Sequence, residues 1–138
     1  MIEVDTNQWP LVRFRAHGVL SLDVFHEYLG HLDEFLGRNQ RFGVLFASEG
    51  IKSPDVRVVK IHAEWFKENH AACAERWIGS ALVFDNALPR FLTSTMMRLV
   101  RLPMPIAVHD SHDAAARWLA ERFTACGMPL PPALCPGS

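Results

Sequence analysis

The residues best suited to chemistry in this sequence stand close together near the C-terminal end, as His109, Asp110, His112 and Asp113. Histidine and aspartate are metal-ligand types, but ligands this close in sequence need a remote partner to complete a coordination shell. Asp110 or Ser111 also has the type of a helix N-cap. We therefore keep His109 and His112 as the candidate metal ligands, while the sequence predicts neither a metal nor a cofactor.

A second group of titratable side chains lies in the stretch HAEWFKENH, which contains His62 and His70. Its spacing is not the HExxH of zinc proteases, so it indicates a half-exposed helix of mixed charge. Cys73 follows closely, but it falls on the apolar stripe of the same helix. We expect an inert buried thiol there rather than a nucleophile.

Two serines, Ser48 and Ser53, are candidates for a phosphorylation switch because they flank the start of a predicted helix. A phosphate adds about −1.5 to −2 charge, which the positive end of a helix dipole favours. The alternative is purely structural: Ser53 caps the helix and Ser48 is an ordinary loop residue.

The predicted helix at 88–102 is apolar on nearly all sides, and its charges are all arginines. Such a helix must be covered by a partner or ligand, unless it is simply buried with its arginine heads reaching solvent. The candidate contact residues on it are Arg90, Met96, Met97, Arg98, Val100 and Arg101.

The length, net charge and cysteine content restrict the class of protein. The 138 residues fit one domain, and the net charge of −1 gives no general attraction to nucleic acid or acidic lipid. Three widely spaced cysteines without a CxxC pattern favour a reducing compartment. No stretch resembles a secretory signal or is long and apolar enough to span a bilayer, so we expect a cytoplasmic protein.

The elements that must position these groups alternate between strand and helix. The central stretch, 42–59, is typical of a buried strand, a loop at Gly50 and a helix start at Ser53-Pro54-Asp55. Serine caps are also expected at Ser21 and Ser111. Strands are predicted at 2–5, 11–17, 42–46, 77–84 and 104–109, and helices at 22–36, 54–75, 88–102 and 114–123. The order β-β-α-β-α-β-α-β-α predicts an α/β fold with a mostly parallel five-stranded sheet and four helices.

Several stretches resemble a known family: GVLS at 18–21, FGVLF at 42–46, and LPMPIAV at 102–108 followed by DAAARWL at 113–119. Over residues 1–123 their order is similar to that of small bacterial SpoIIAA-like proteins, the fold group of STAS domains and the lipid-binding Sec14 (CRAL-TRIO) domains. The resemblance implies a βα superhelix but no single activity. The loop at 47–53 lacks the paired serines and preceding acid of bacterial anti-sigma-factor antagonists. It also lacks the aspartate that related stand-alone proteins often have near Ala47.

We therefore expect a single SpoIIAA-like domain at 1–125 and a proline-rich mobile tail at 126–138. The expected function is that of a non-catalytic regulatory or protein-interaction module, as a homodimer or with another protein. The alternatives are a carrier of a small apolar or anionic lipid-like ligand, and an enzyme using His109 and His112. No catalytic pair, phosphate loop or basic stripe with interleaved aromatics supports an established enzyme class or a nucleic-acid partner.

Overall fold

The computed structural model describes residues 2–18, 21–50, 56–87, 90–91, 93–94 and 102–135. Its strands are β1 (Ile2–Gln8), β2 (Leu11–His17), β3 (Phe42–Glu49), β4 (Trp77–Phe84) and β5 (Ile106–His109). Its helices are α1 (Leu22–Gly37), α2 (Val56–Glu68), α3 (His70–Arg76) and α4 (His112–Ala125), followed by a short 3-10 helix at Pro132–Leu134. None of the helices in this part of the chain is long and apolar enough to cross a membrane.

The five strands form one sheet in the order β1-β2-β3-β4-β5. The β1–β2 pair is antiparallel, and the other three pairs are parallel. The α/β class, the mostly parallel five-stranded sheet and the presence of four helices among the described residues are therefore as predicted. The SpoIIAA-like superhelix stays a prediction, because the order of elements differs from the predicted one.

The main difference is a break in the predicted helix at 54–75, which is two helices, α2 and α3, separated at Asn69. Both the Asn69 backbone N–H and its side-chain Nδ2 donate to the Trp65 carbonyl oxygen at 3.0 Å. An asparagine side chain that bonds the local backbone in this way competes with helix continuation. Between β4 and β5, the described residues of the predicted third helix are helical at 90–91 and 93–94, and most of 88–102 lies outside the described part.

The helices divide between the two faces of the sheet. Helices α1, α2 and α3 cover the face of Val12, Phe14 and Val44, which we call the α1 face. Helix α4 covers the opposite face of β3 and β4, which we call the α4 face. Both α1 and α4 begin at the predicted caps, where Ser21 Oγ accepts the Val24 N–H and Ser111 Oγ accepts the Ala114 N–H, each at 3.2 Å.

Helix α4 approaches the sheet closely because two glycines face it. A Cβ atom at Gly43 would lie 2.7 Å from Cε2 of Phe123, and one at Gly79 would lie 3.2 Å from Trp118. Beside Gly79 the β3–β4 register shifts, and Arg122 Nε donates to the Ile78 carbonyl oxygen at 3.1 Å. The helix therefore both packs against the irregular start of β4 and satisfies its backbone.

The sequence predicts a mobile tail from residue 126, yet the described residues 128–134 pack on the α4 face. Leu134 is only 4% exposed, and the Ala133 N–H donates to Gln8 Oε1 at 2.7 Å. The segment packs through isolated apolar side chains. Their spacing shows neither the periodicity of a helix nor that of a strand, so the sequence gives no signal for this contact.

Candidate functional site

An open cleft of about 530 Å³ lies where the carboxyl end of β5 meets the helical residues that follow β4. Ligands of open α/β sheets bind outside the carboxyl ends of the parallel strands, so this is the edge where a site is expected. The cleft is lined by Ala87, Arg90, Phe91, Ser94, Val108, His109 and Asp110.

Arg90 contributes the positive charge of the cleft. Its Nη1 donates to the Phe84 carbonyl oxygen at 3.0 Å, which fixes the guanidinium beside the end of β4. The side chain is half-buried, and it forms no ion pair with a carboxylate of the described residues. The Arg90 guanidinium, which carries five N–H donors, is therefore held in place by a neutral carbonyl oxygen.

Phe91 gives the cleft an apolar rim. Its side chain is 67% exposed, and it is the large hydrophobic residue that the described part of the chain leaves exposed. Val108 of β5 lines the same cleft. Aromatic side chains and arginine together are typical of the centre of binding surfaces.

His109 and Asp110 end β5 at the other side of the cleft. Burial lowers the pKa of His109, and the Asp110 carboxylate opposes that shift. The His109 ring lies 5.9 Å from the Trp118 ring, and its Nε2 is buried with no hydrogen-bond partner in the described structure. Asp110 itself is exposed and directly precedes the Ser111 cap of α4.

A hydrogen bond joins the carboxyl ends of the neighbouring strands β3 and β4. Gly50, at a positive φ of 65°, donates its N–H to the Asp85 carboxylate, with distances of 3.0 and 3.3 Å to the two oxygens. Ser48 lies within β3, which runs three residues further than predicted, to Glu49. Its side chain is only 3% exposed, and its Oγ has no partner among the described residues.

The other predicted contact residues cannot be placed at this site. Met96, Met97, Arg98, Val100, Arg101 and Ser53 lie outside the described residues. Of the predicted surface on the third helix, the structure therefore brings only Arg90 to the cleft. His112 is the exposed first residue of α4, and no group of three His, Cys, Asp or Glu side chains within the described ranges could hold a metal ion.

A second unusual group packs on the α1 face around the half-buried side chain of His62. The His62 ring stacks on Phe66 at 4.5 Å and meets Phe25 and Tyr28 edge-on at 5.1 and 6.1 Å. Its Nε2 is buried and has no partner in the described part of the chain, and burial lowers its pKa to about 4. Burial also raises the pKa of Tyr28, and it raises the pKa of Cys73 to about 11. Tyr28 and Cys73 are core residues, His62 packs against the core, and all three keep their neutral forms near pH 7.

The charged face of β2 carries Arg13, Arg15 and His17, and acidic side chains lie close to all three. Arg13 pairs with Asp5 at 2.7 Å, and Arg15 pairs with Glu49 at 2.9 Å. His17 lies 3.8 Å from Glu3 on β1. This part of the α4 face therefore offers no strong field of one sign to a nucleic acid.

Sequence reasoning missed how the cleft combines residues from two distant segments. The signal that points to Val108 and Asp110 is their position at the carboxyl end of a parallel strand. Ala87 and Ser94 carry no such signal, because nothing in their types marks them as binding residues.

The comparisons with known proteins return no relative: no family model matches the chain, and no curated protein or solved structure is significantly similar to it.

Proposed function

We propose that this chain is a non-catalytic regulatory or protein-interaction module that binds its partner at the cleft beside the end of β5. The observation that carries the proposal is the combination of Arg90 with the 67% exposed ring of Phe91 on one open cleft. Interfaces concentrate their binding energy in a few such aromatic and arginine side chains.

The chemistry of the neighbouring groups supports binding rather than catalysis. The Asp85 carboxylate is engaged by the Gly50 N–H, and Glu49 is paired with Arg15. The His109 ring packs against Trp118, with its Nε2 buried. A general base needs to reach a substrate proton. The Asp85 and Glu49 carboxylates are engaged within the fold, and the His109 Nε2 is buried.

The partner is another protein or a second copy of this chain. Cys73, Cys126 and Cys135 form no disulfide within the described part of the chain, which supports a reducing compartment such as the cytoplasm. The SpoIIAA-like resemblance of the sequence fits a regulatory role of this kind.

The test compares wild type with Phe91→Ser, which removes the exposed ring, and with His26→Ser, which changes an exposed residue on α1. Tagged protein is used for affinity capture from a lysate of the source cells, and its mass in solution is measured by light scattering. We expect a captured protein, or a doubled mass, that survives His26→Ser and is lost with Phe91→Ser. A partner retained equally by both variants would reject the cleft as the binding surface.

A further inference from the structure

Two polar atoms on the α1 face are buried without a hydrogen-bond partner among the described residues: Ser48 Oγ and His62 Nε2. The side chain of Ser48 is only 3% exposed, and it lies near the carboxyl end of β3. A buried hydroxyl that bonds nothing destabilises a fold, so native structures pair most such groups with protein, water or a ligand. An unpaired hydroxyl at this end of a parallel strand is therefore a candidate ligand contact.

A row of partly exposed apolar side chains lies beside Ser48 on the same face of the sheet. Phe46 precedes Ser48 by two residues in β3, so both side chains point to the α1 face. The strand register places Phe46 beside Leu82, and Leu82 beside Val108. Val44, one row earlier in β3, is fully buried, whereas these three residues are only half-buried. This row, which we call the apolar floor, is therefore incompletely covered by the rest of the protein.

The dimensions of the apolar floor suit one substituted ring. Neighbouring strands of a sheet lie about 4.8 Å apart, so the three strands of the floor span about 10 Å. Ser48 lies about 7 Å along β3 from Phe46, because a strand rises about 3.3 Å per residue. A ligand that lies on the floor therefore reaches Ser48 with one polar substituent.

The polar groups beside the apolar floor are neutral near pH 7. The Tyr28 ring lies 5.4 Å from the Phe46 ring, and the His62 ring lies 6.1 Å from the Tyr28 ring. Burial raises the pKa of Tyr28 and lowers that of His62 to about 4, and the hydroxyl of Ser48 does not ionise. A charged ligand group would lose its hydration here without gaining an ion pair, so these neighbours favour an uncharged one.

Going beyond the function proposed above, we propose that the apolar floor binds a small uncharged molecule that carries a hydroxyl or carbonyl group on an apolar body. The body packs on Phe46, Leu82 and Val108, and the polar group forms a hydrogen bond with Ser48 Oγ. The apolar contact supplies most of the affinity, and the hydrogen bond fixes the orientation of the ligand. Because Val108 also lines the cleft, this ligand lies next to the surface proposed for the partner protein.

Two probes of matched shape test this proposal on the full chain: p-cresol and p-xylene, which differ by a hydroxyl in place of a methyl group. The methyl NMR signals of Leu82 and Val108 are followed as each probe is added at pH 7. We expect both probes to shift these signals, and Ser48→Ala to weaken p-cresol binding about fivefold while p-xylene binding stays unchanged. Ser94→Ala, which removes a hydroxyl from the cleft, is the control and should change neither affinity.

Urea unfolding of the ligand-free protein provides an independent arm. Because Ser48 Oγ has no partner to lose among the described residues, Ser48→Ala should leave the unfolding midpoint unchanged or raise it. A clearly lower midpoint would show that the hydroxyl has a structural partner, and it would overturn the proposal. Failure of Ser48→Ala to fold counts as the same outcome.

The remaining outcomes would also overturn the proposal. Neither probe shifting the signals of Leu82 and Val108 would exclude the apolar floor as a binding site. An unchanged p-cresol affinity in Ser48→Ala, or an equal loss for both probes, would exclude the hydrogen bond to Ser48. Tighter binding of p-toluate, which carries a carboxylate in the place of the hydroxyl, than of p-cresol would exclude an uncharged ligand.

Discussion

Replacing His62 should remove a large part of the acid sensitivity of this fold. The imidazole is packed among three aromatic rings, and its buried Nε2 has no partner among the described residues. The other titratable groups in this cluster, Tyr28 and Cys73, have raised pKa values and stay neutral in acid. Protonating His62 therefore places an uncompensated positive charge in an apolar environment, which folding resists.

The size of the effect follows from the pKa of His62, which burial lowers from 6.5 to about 4. Because the unfolded chain binds the proton more tightly than the folded one, stability is complete above pH 6.5 and falls as the pH drops toward 4. Each pKa unit corresponds to about 1.4 kcal/mol, so the full loss is about 3 kcal/mol. At pH 5, the same linkage gives a loss of about 2 kcal/mol from this single side chain.

The measurement is urea unfolding, followed by tryptophan fluorescence at pH 7.5 and pH 5, for wild type and His62→Phe. Carboxylates also titrate in this range, so the quantity that matters is the difference between the two proteins in their pH dependence. We expect His62→Phe to lose about 2 kcal/mol less than wild type on acidification. His62→Leu is the second variant, and His26→Gln, on the exposed side of α1, is the control that should behave as wild type. An unchanged pH dependence in both His62 variants would refute the reasoning.

Two further predictions concern α4. Gly43→Ala should destabilise the fold by about 1–3 kcal/mol, because the new Cβ would lie 2.7 Å from Cε2 of Phe123. The matched control in the same urea unfolding experiment is Gly37→Ala, whose Cβ would meet nothing within 4 Å. Similar unfolding midpoints for these two variants would contradict the close approach of α4. Ser111→Ala should lower the free energy of unfolding by about 1 kcal/mol, because it removes the hydrogen bond from the Ala114 N–H to Ser111 Oγ. Ser111→Asp should retain most of the stability in the same thermal unfolding experiment. Equal losses in both variants would contradict the cap.

Local sequence patterns predict much of the architecture. The apolar run at β4 predicts Trp77–Phe84 as the structure has it, because a strand covered on both faces needs apolar residues at successive positions. Ser21 and Ser111 mark the starts of α1 and α4 because an N-cap depends on only a few neighbouring residues.

Features that depend on distant contacts were missed. The break between α2 and α3 at Asn69 carries no proline or glycine, and it depends on how the asparagine side chain meets the Trp65 carbonyl. The packing of Leu134 has no periodic signal, because an irregular segment docks through isolated side chains. The extension of β3 to Glu49 depends on its pairing with β2 and β4.

The candidate site was predicted only in part. The sequence singles out Arg90 for its place on an apolar helix, but the cleft that Arg90 lines depends on the end of β5, which the fold brings beside it. His109 and Asp110 were selected as metal-ligand types. The structure instead places them at the wall of a cleft, because β5 delivers its carboxyl end to the segment that follows β4.

The most direct test of the cleft as the binding surface is hydrogen–deuterium exchange on the complex with the captured partner. We expect slowed exchange at 90–94 and 106–110, with Phe91→Ser abolishing that protection. Protection confined to the charged face of β1 and β2, around Asp5 and Arg13, would contradict the cleft as the binding surface.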